Sequence, residues 1–468
     1  MTLPIEEAEL SARLTMAMDR AGEAEVELYA KAVRRGFARF AIGELGQHMD
    51  LDEPLVLVRV ARGSRVAEVR VSSLEVDAIV EAIKKAGTAA ERLPENPDFP
   101  GFAGGDDPEG PRPPRFAEAT ACSTSEARVE ALAPALEAIR KAGLVAAGSL
   151  EAMTAVEAVA TTRGLLRTHA STMASFQVWA LETAGAGGAS GYGHACHRDI
   201  TKLDLLGEAE GAIRLARLSK DPIAIDAGAY DVVLGAPAMA TLVEWLSGIA
   251  FGAREIHQGT SAVAGRLGER ITGENVGIEE DPFDASDLGF GTPFDREGTW
   301  RRRVTLLERG IARGFLCDRT WGKRMGKPST GSAGLSFFGD GAPEASALHV
   351  APGEAASEEE LIAGIKRGLW VRRLHYVNGL LETRRAVMTG LTRDGTFLVE
   401  NGRIVRAVGG LRFTDSVTEA FGRLDGLTQR RWALPSSWSE GATIVTPAAR
   451  IRRLVFTSGS QKPVSLVG

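Results

Sequence analysis

The residues of this chain best suited to hold a metal in close spacing are His194, Cys196 and His197, in the run His-Ala-Cys-His. Thiolate and imidazole are good zinc ligands. The spacing is not that of a common structural zinc site, and no second ligand pair stands nearby. A zinc hydrolase needs two imidazoles on one side of a helix, a carboxylate beside them as general base, and a third ligand from elsewhere. The seven histidines are His48, His169, His194, His197, His257, His349 and His375, and none is followed by Glu, so neither HExxH nor HExxxH occurs. The three cysteines are Cys122, Cys196 and Cys317, and none follows Cys317. The expectation is therefore no metal and no catalytic residue in this chain. A relocated metalloenzyme site at His194, Cys196 and His197 is the competing reading.

Other catalytic signatures fail. No GxSxG elbow is present. Residues 322–330, GKRMGKPST, lack Walker A spacing and place Pro328 inside the would-be phosphate cradle. The glycines of 185–193 do not make GxGxxG. Cys122 and Cys317 have no histidine close in sequence to activate them. His257, beside Glu255, reads as a solvated loop histidine.

The segment from Asp231 to Ile271 reads strand, turn, helix, then a loop of small residues. Pro237 suits the first turn of the helix. Leu242, Leu246 and Ile249 fall near one face with Trp245 adjacent, the pattern of a packing helix. Glu244 interrupts this run and reads as a half-exposed or salt-bridged carboxylate. Gly259, Thr260 and Ser261 follow, with Gly265 and Gly268 further on. Glycines let another chain approach closely. Trp245, Gly259, Thr260 and Ser261 are thus the candidates for peptide or partner binding, against the plainer reading of a structural turn.

Around this segment the pattern predicts an α+β protein. A helix is expected over 5–21, three or four strands over 25–71 with a turn at Gly63-Ser64, and a helix capped by Ser72 and Glu75 that ends before Gly87. Residues 94–114 hold seven of the twenty prolines and read as an unpacked surface loop. Ser123 and Glu126 would cap the next helix, which stops before Gly143. AIKKAG (82–87) and AIRKAG (138–143) are two ordinary helix ends, or mark a strand–helix unit used twice. Strands follow over 144–183, then a glycine-rich loop at 185–193 and a helix over 206–219. Beyond Asp226 the chain reads as short strands, with hairpin turns at Arg309-Gly310 and Asn401-Gly402 and one helix from Ser357 to Leu369. The expected division is an N-terminal α+β domain over 1–225 and a strand-rich, mainly antiparallel C-terminal domain over 226–468.

A net charge of -6 argues against broad contact with nucleic acid. Sparse, odd cysteines point to a reducing compartment. The acidic start, MTLPIEEAEL, lacks the basic region of a signal peptide, and the most apolar window, 237–253, is too short to span a membrane. A cytoplasmic protein with no membrane association is expected.

Read in order, DVVL at 231–234, QGTSAVAGRLGERI, PFDREG at 293–298, the Ser329-Thr330-Gly331 turn, LHVAPGEAASEEELI and VENGRIVRAVGG resemble the TldD/PmbA family of zinc peptidases. The resemblance covers the chain from about Asp226 onward. Catalytic members carry HExxxH on the helix before the GTS loop and a late cysteine as third ligand. Here that slot reads Glu244-Trp245-Leu246-Ser247-Gly248-Ile249. The resemblance therefore implies the TldE/PmbA-like branch: a subunit without zinc, paired with a TldD-like catalytic subunit that holds it, acting on unstructured peptides. The older family label, modulator of DNA gyrase, would then reflect an indirect effect. A stand-alone homo-oligomer that binds peptides at an open sheet edge is the alternative.

Overall fold

The computed structural model describes residues 3–23, 25–182, 188–335 and 343–459. The N-terminal part runs α1 (Glu7–Ala21), β1 (Val26–Ala41), β2 (Glu44–Arg62), β3 (Arg65–Val71), α2 (Val76–Ala90), the short α3 (Glu118–Ala121), α4 (Ser125–Lys141), β4 (Val145–Thr161), β5 (Leu166–Leu181), β6 (Ser190–His197) and α5 (Leu205–Leu218). Its six strands form one antiparallel sheet in the order β3-β2-β1-β4-β5-β6. Alternation of side chains gives this sheet two faces. One face buries Leu28, Val58, Val156 and Ala158 with residues of α1 and α2, and Phe176, Val178 and Leu150 with residues of α4 and α5.

The sheet is built from one unit used twice. Each half is helix, three strands, helix, and the halves meet where β1 pairs with β4. The matching hexapeptides do not mark equivalent places, however. AIKKAG belongs to α2, which closes the first unit, and AIRKAG ends α4, which opens the second.

Several local expectations are corrected. The residue before α2 is Glu75, with no side-chain cap, and Gly87 lies inside the helix. Thr124, not Ser123, caps α4 by accepting from Ala127 N–H at 3.2 Å. The 94–114 segment has no helix or strand, yet it is packed: Phe99, Phe102 and Ala103 are buried. Residues 190–193 are strand, not loop, while 185–187 lie outside the described residues. Gly191 and Gly193 are there because α5 lies directly on β6. A Cβ on them would meet Ala212 O at 1.9 Å and Glu208 O at 2.4 Å.

The C-terminal part runs β7 (Gly228–Leu234), α6 (Ala236–Ala250), α7 (Ala253–His257), β8 (Ile278–Glu280), β9 (Val304–Glu308), β10 (Ile311–Ala312), α8 (Arg319–Arg324), β11 (Ala347–Val350), α9 (Glu358–Ala363), β12 (Arg367–Glu382), β13 (Val387–Glu400), β14 (Arg403–Ala407), β15 (Arg412–Ser416), α10 (Val417–Gly422), β16 (Leu424–Pro435) and β17 (Thr443–Ser458). These strands form a mixed, mainly antiparallel sheet, with parallel pairs only at β11–β17 and β7–β12 among the described residues. Strand β7 pairs with both β12 and β17, so β17-β15-β13-β12-β7 closes on itself. Both expected hairpin turns are present, with left-handed residues Arg309-Gly310 and Asn401-Gly402. Helix α9 is shorter than expected: it stops at Ala363, and β12 has begun by Arg367.

Candidate functional site

Helix α6 starts from Gly235 with Pro237 in its first turn and packs against β12 and β17. Every residue but Thr241 and Gly248 is buried. It is hydrophobic all round, as a helix enclosed by its own protein must be. The single charge on it, Glu244, is only 7% exposed, which corrects the half-exposed reading. Its Oε1 accepts from Ser436 Oγ at 2.5 Å and from Ser437 N–H at 2.7 Å, both on the β16–β17 connection. Burial raises the Glu244 pKa, and these donors oppose the rise. Beside it, the Trp245 ring meets Trp438 edge-on at 4.8 Å and lies under Gly379 of β12.

Glu244 and Trp245 line a cavity of about 340 Å³ between the two sheets. Strands β5 and β6 form one wall, with Gln177, Tyr192 and His194; β12 forms another, with Arg373 and Tyr376. Two candidates distant in sequence, His194 and Trp245, are thus brought to one cavity. Burial, with Arg372 and Arg373 nearby, lowers the His194 pKa to about 3 and keeps the ring neutral. That ring stacks on Tyr192 at 5.7 Å.

The other members of the His-Ala-Cys-His run go elsewhere. Residues 194 and 196 share a strand face and 197 points to the opposite one. Cys196 packs against the cluster of Val33, Met153, Met173 and Phe290, and burial pushes its thiol up to about 12, far from a reactive thiolate. His197 Nδ1 accepts from Asp199 N–H at 2.9 Å. Among the described residues, no group of three or more His, Cys, Asp or Glu side chains is placed to hold a metal. At the helix, one carboxylate, Glu244, with Trp245 and Ile249 in the other two slot positions, is not a zinc donor set. The residues present do not fit the metal of the family's catalytic members.

The GTS loop ties down the end of α6. Ser261 is buried; its Oγ donates to Ala250 O at 2.6 Å and accepts from Val263 N–H at 2.8 Å. Gly259 takes a left-handed conformation (φ +70°) that allows the turn after α7. Thr260 is exposed, and its carbonyl accepts from Thr383 Oγ1 at 2.7 Å. His257 is exposed, 5.7 Å from the Trp321 ring.

Sequence reasoning missed the group that locks the two sheets together. Asp394, at a bulge within β13, accepts from Trp179 Nε1 at 3.0 Å, Ser190 Oγ at 2.9 Å and Arg373 at 2.6 Å. The Arg373 guanidinium also lies over Trp179 and Tyr192. It missed Ser436, Ser437 and Trp438 as well. The available signal was a lone carboxylate in an apolar helix, which must find donors somewhere.

The two sheets and the slot on α6 define an α+β protein whose central helix presents no metal-ligand set among the described residues. The chain belongs to the TldD/PmbA family. The description "PmbA/TldA metallopeptidase C-terminal domain" matches residues 227–458. A metalloprotease of Methanothermobacter thermautotrophicus is 27% identical over 242 residues, 52% of this chain and 51% of that protein. A metalloprotease TldD homolog of Haemophilus influenzae is 24% identical over 217 residues, 46% of this chain and 44% of its own. The chain thus spans about half the length of the curated relatives it matches. Over the whole fold it is similar to TldE of Thermococcus kodakarensis, with TM-score 0.84 and 20% identity, covering 95% of this chain and 99% of that one. A Thermotoga maritima protein named for modulation of a DNA gyrase gives TM-score 0.82 and 19% identity, covering 96% and 100%. No described helix is long and apolar enough to cross a membrane.

Proposed function

We propose that this chain is the non-catalytic, TldE-like subunit of a cytoplasmic TldD/TldE-type peptidase that acts on unstructured peptides. Zinc and catalysis belong to a TldD-like partner carrying HExxxH. One observation supports the reading: the helix position that the resemblance assigns to the first zinc-binding histidine holds Glu244, which is buried and hydrogen-bonded to Ser436 and Ser437. A helix packed this way contributes a surface and a support rather than a nucleophile. Gly259 and Thr260 belong to the partner- or peptide-contacting surface in this reading, and Trp245 forms the floor of the cavity. The acidic net charge suits an indirect link to gyrase better than direct DNA contact.

The test is elemental analysis of the purified chain with a peptidase assay, alone and mixed with a HExxxH-bearing family member. The expected result is substoichiometric zinc, no cleavage alone, and cleavage by the mixture that exceeds that of the partner alone. If the two proteins neither associate nor cleave together, the reading fails.

A further inference from the structure

Buried carboxylates in this protein sit beside cations. Glu27 and Glu297 meet Arg59, Glu157 meets Lys31, Glu358 meets Arg372, and Asp394 meets Arg373. At Asp295 and Asp318 the forces opposing burial include nearby arginines. Glu244 differs. What opposes its burial is hydroxyl and amide donors of Ser436, Ser437 and Trp438. Among the described residues, no Lys, Arg or His forms an ion pair with it. A buried carboxylate without a counter-ion is costly, and proteins rarely keep one idle.

The cavity that Glu244 lines is walled by Trp245, Tyr376 and Trp438, and by Tyr192, whose ring is already engaged by Arg373 and His194. Aromatic faces attract cations. The arginine in the wall, Arg373, is held by Asp394 at 2.6 Å and lies over Tyr192, so its charge is already used. His194 stays neutral, and His375 is biased the same way by burial and by Arg393 and Arg373. At about 340 Å³ the cavity suits a single extended side chain or chain end. We propose that it binds an organic cation carried by a peptide, an ammonium or guanidinium group, with Glu244 as counter-ion and the aromatic walls around it. The inference rests on the peptide-handling reading only for the carrier of the cation.

The test uses the full chain without any partner. Three unstructured Gly/Ser heptapeptides are titrated by calorimetry, following tryptophan fluorescence in parallel. The first is blocked at both ends and carries one lysine. The second is its norleucine counterpart. The third has norleucine and a free N-terminus. Binding of either charged peptide at least tenfold tighter than the blocked norleucine peptide supports the site, and the tighter one identifies a side-chain or N-terminal cation. Equal binding of all three, or of none, overturns it. Glu244→Gln should abolish the preference; a folded Glu244→Gln protein that keeps it overturns the assignment of Glu244. Should that variant not fold, Tyr376→Ala at the exposed mouth should weaken the charged peptide severalfold, and unchanged affinity overturns the site. Association with a HExxxH-bearing partner is measured separately, so either proposal can fail alone.

Discussion

Ser436 Oγ donates to Glu244 Oε1 at 2.5 Å, joining α6 to a loop 192 residues later in the chain. The same hydroxyl accepts from the Trp438 and Ser439 amides, at 3.1 and 3.0 Å. One side chain therefore organises a turn and neutralises part of the cost of burying a carboxylate. Ser436→Ala removes all three bonds and leaves Glu244 with the donors of Ser437 and Trp438. The expected loss is about 1–3 kcal/mol of stability, the cost of unsatisfied buried polar groups. Urea denaturation checks it, with a lower midpoint at unchanged slope.

Asp394→Asn tests the lock between the sheets. Asparagine tolerates the left-handed backbone at this position (φ +53°) but removes the charge that faces Arg373. Leaving a half-buried arginine without its counter-ion should cost about 3 kcal/mol. The Trp179 indole also loses a charged acceptor. The variant should show altered near-UV circular dichroism and faster limited proteolysis between residues 197 and 228; native-like values for both would show that the sheets are held by packing alone.

Gly191→Ala should be among the most damaging conservative changes. The added methyl would meet Ala212 O at 1.9 Å and Ala216 N at 2.6 Å, both backbone atoms of α5. The helix must lift from β6, at a cost near the upper end for overpacking, about 3 kcal/mol. A thermal midpoint close to wild type would show that α5 can shift freely.

These cases also show what the sequence could and could not reveal. Turn chemistry was local and legible: Arg309-Gly310 and Asn401-Gly402 form the hairpins because their residues accept positive φ. Helix α6 was legible from Pro237 and its apolar run. Strand β6 was not, because glycines that signal a loop locally were serving a helix fifteen or more residues away. The end of α9 was marked locally by Gly364, its C-cap, but Ile365, Leu369 and Trp370 continue the apolar run beyond it into β12 and mask the stop. The burial of Glu244 and the Asp394 lock depend on partners about two hundred residues distant, which no window of sequence contains.

His194 gives a pH-dependent prediction. Its ring has a pKa lowered from 6.5 to about 3 in the folded protein. Below pH 6.5 the unfolded chain binds a proton that the folded chain refuses, so this residue lowers stability as pH falls, and contributes nothing above that range. Asp295 and Asp318, raised to about 7, act the other way: they add stability as pH falls from 7 toward 4. The two effects oppose each other in the wild type, so the comparison must be with a single variant. His194→Gln should lose one proton's worth of pH dependence, about 1.4 kcal/mol per pH unit below 6.5. Urea midpoints at pH 7, 6 and 5 read this directly. A constant difference between variant and wild type across that range would show that the ring titrates normally.

The GTS loop separates packing from contact at adjacent residues. Ser261 is buried and bonded at both ends of its hydroxyl, so Ser261→Ala should cost about 1–2 kcal/mol whether or not a partner exists. Thr260 points outward, and a surface substitution there should change stability by less than about 0.5 kcal/mol. If the loop meets a partner subunit, Thr260→Arg should weaken association tenfold or more, because a bulky charge cannot be desolvated in a close contact. Light scattering or sedimentation of the mixed proteins, beside a thermal melt of each variant, divides the two roles. A Thr260→Arg protein that melts and associates like wild type would leave the loop with a purely structural role, that of fastening the C-terminus of α6 through Ser261.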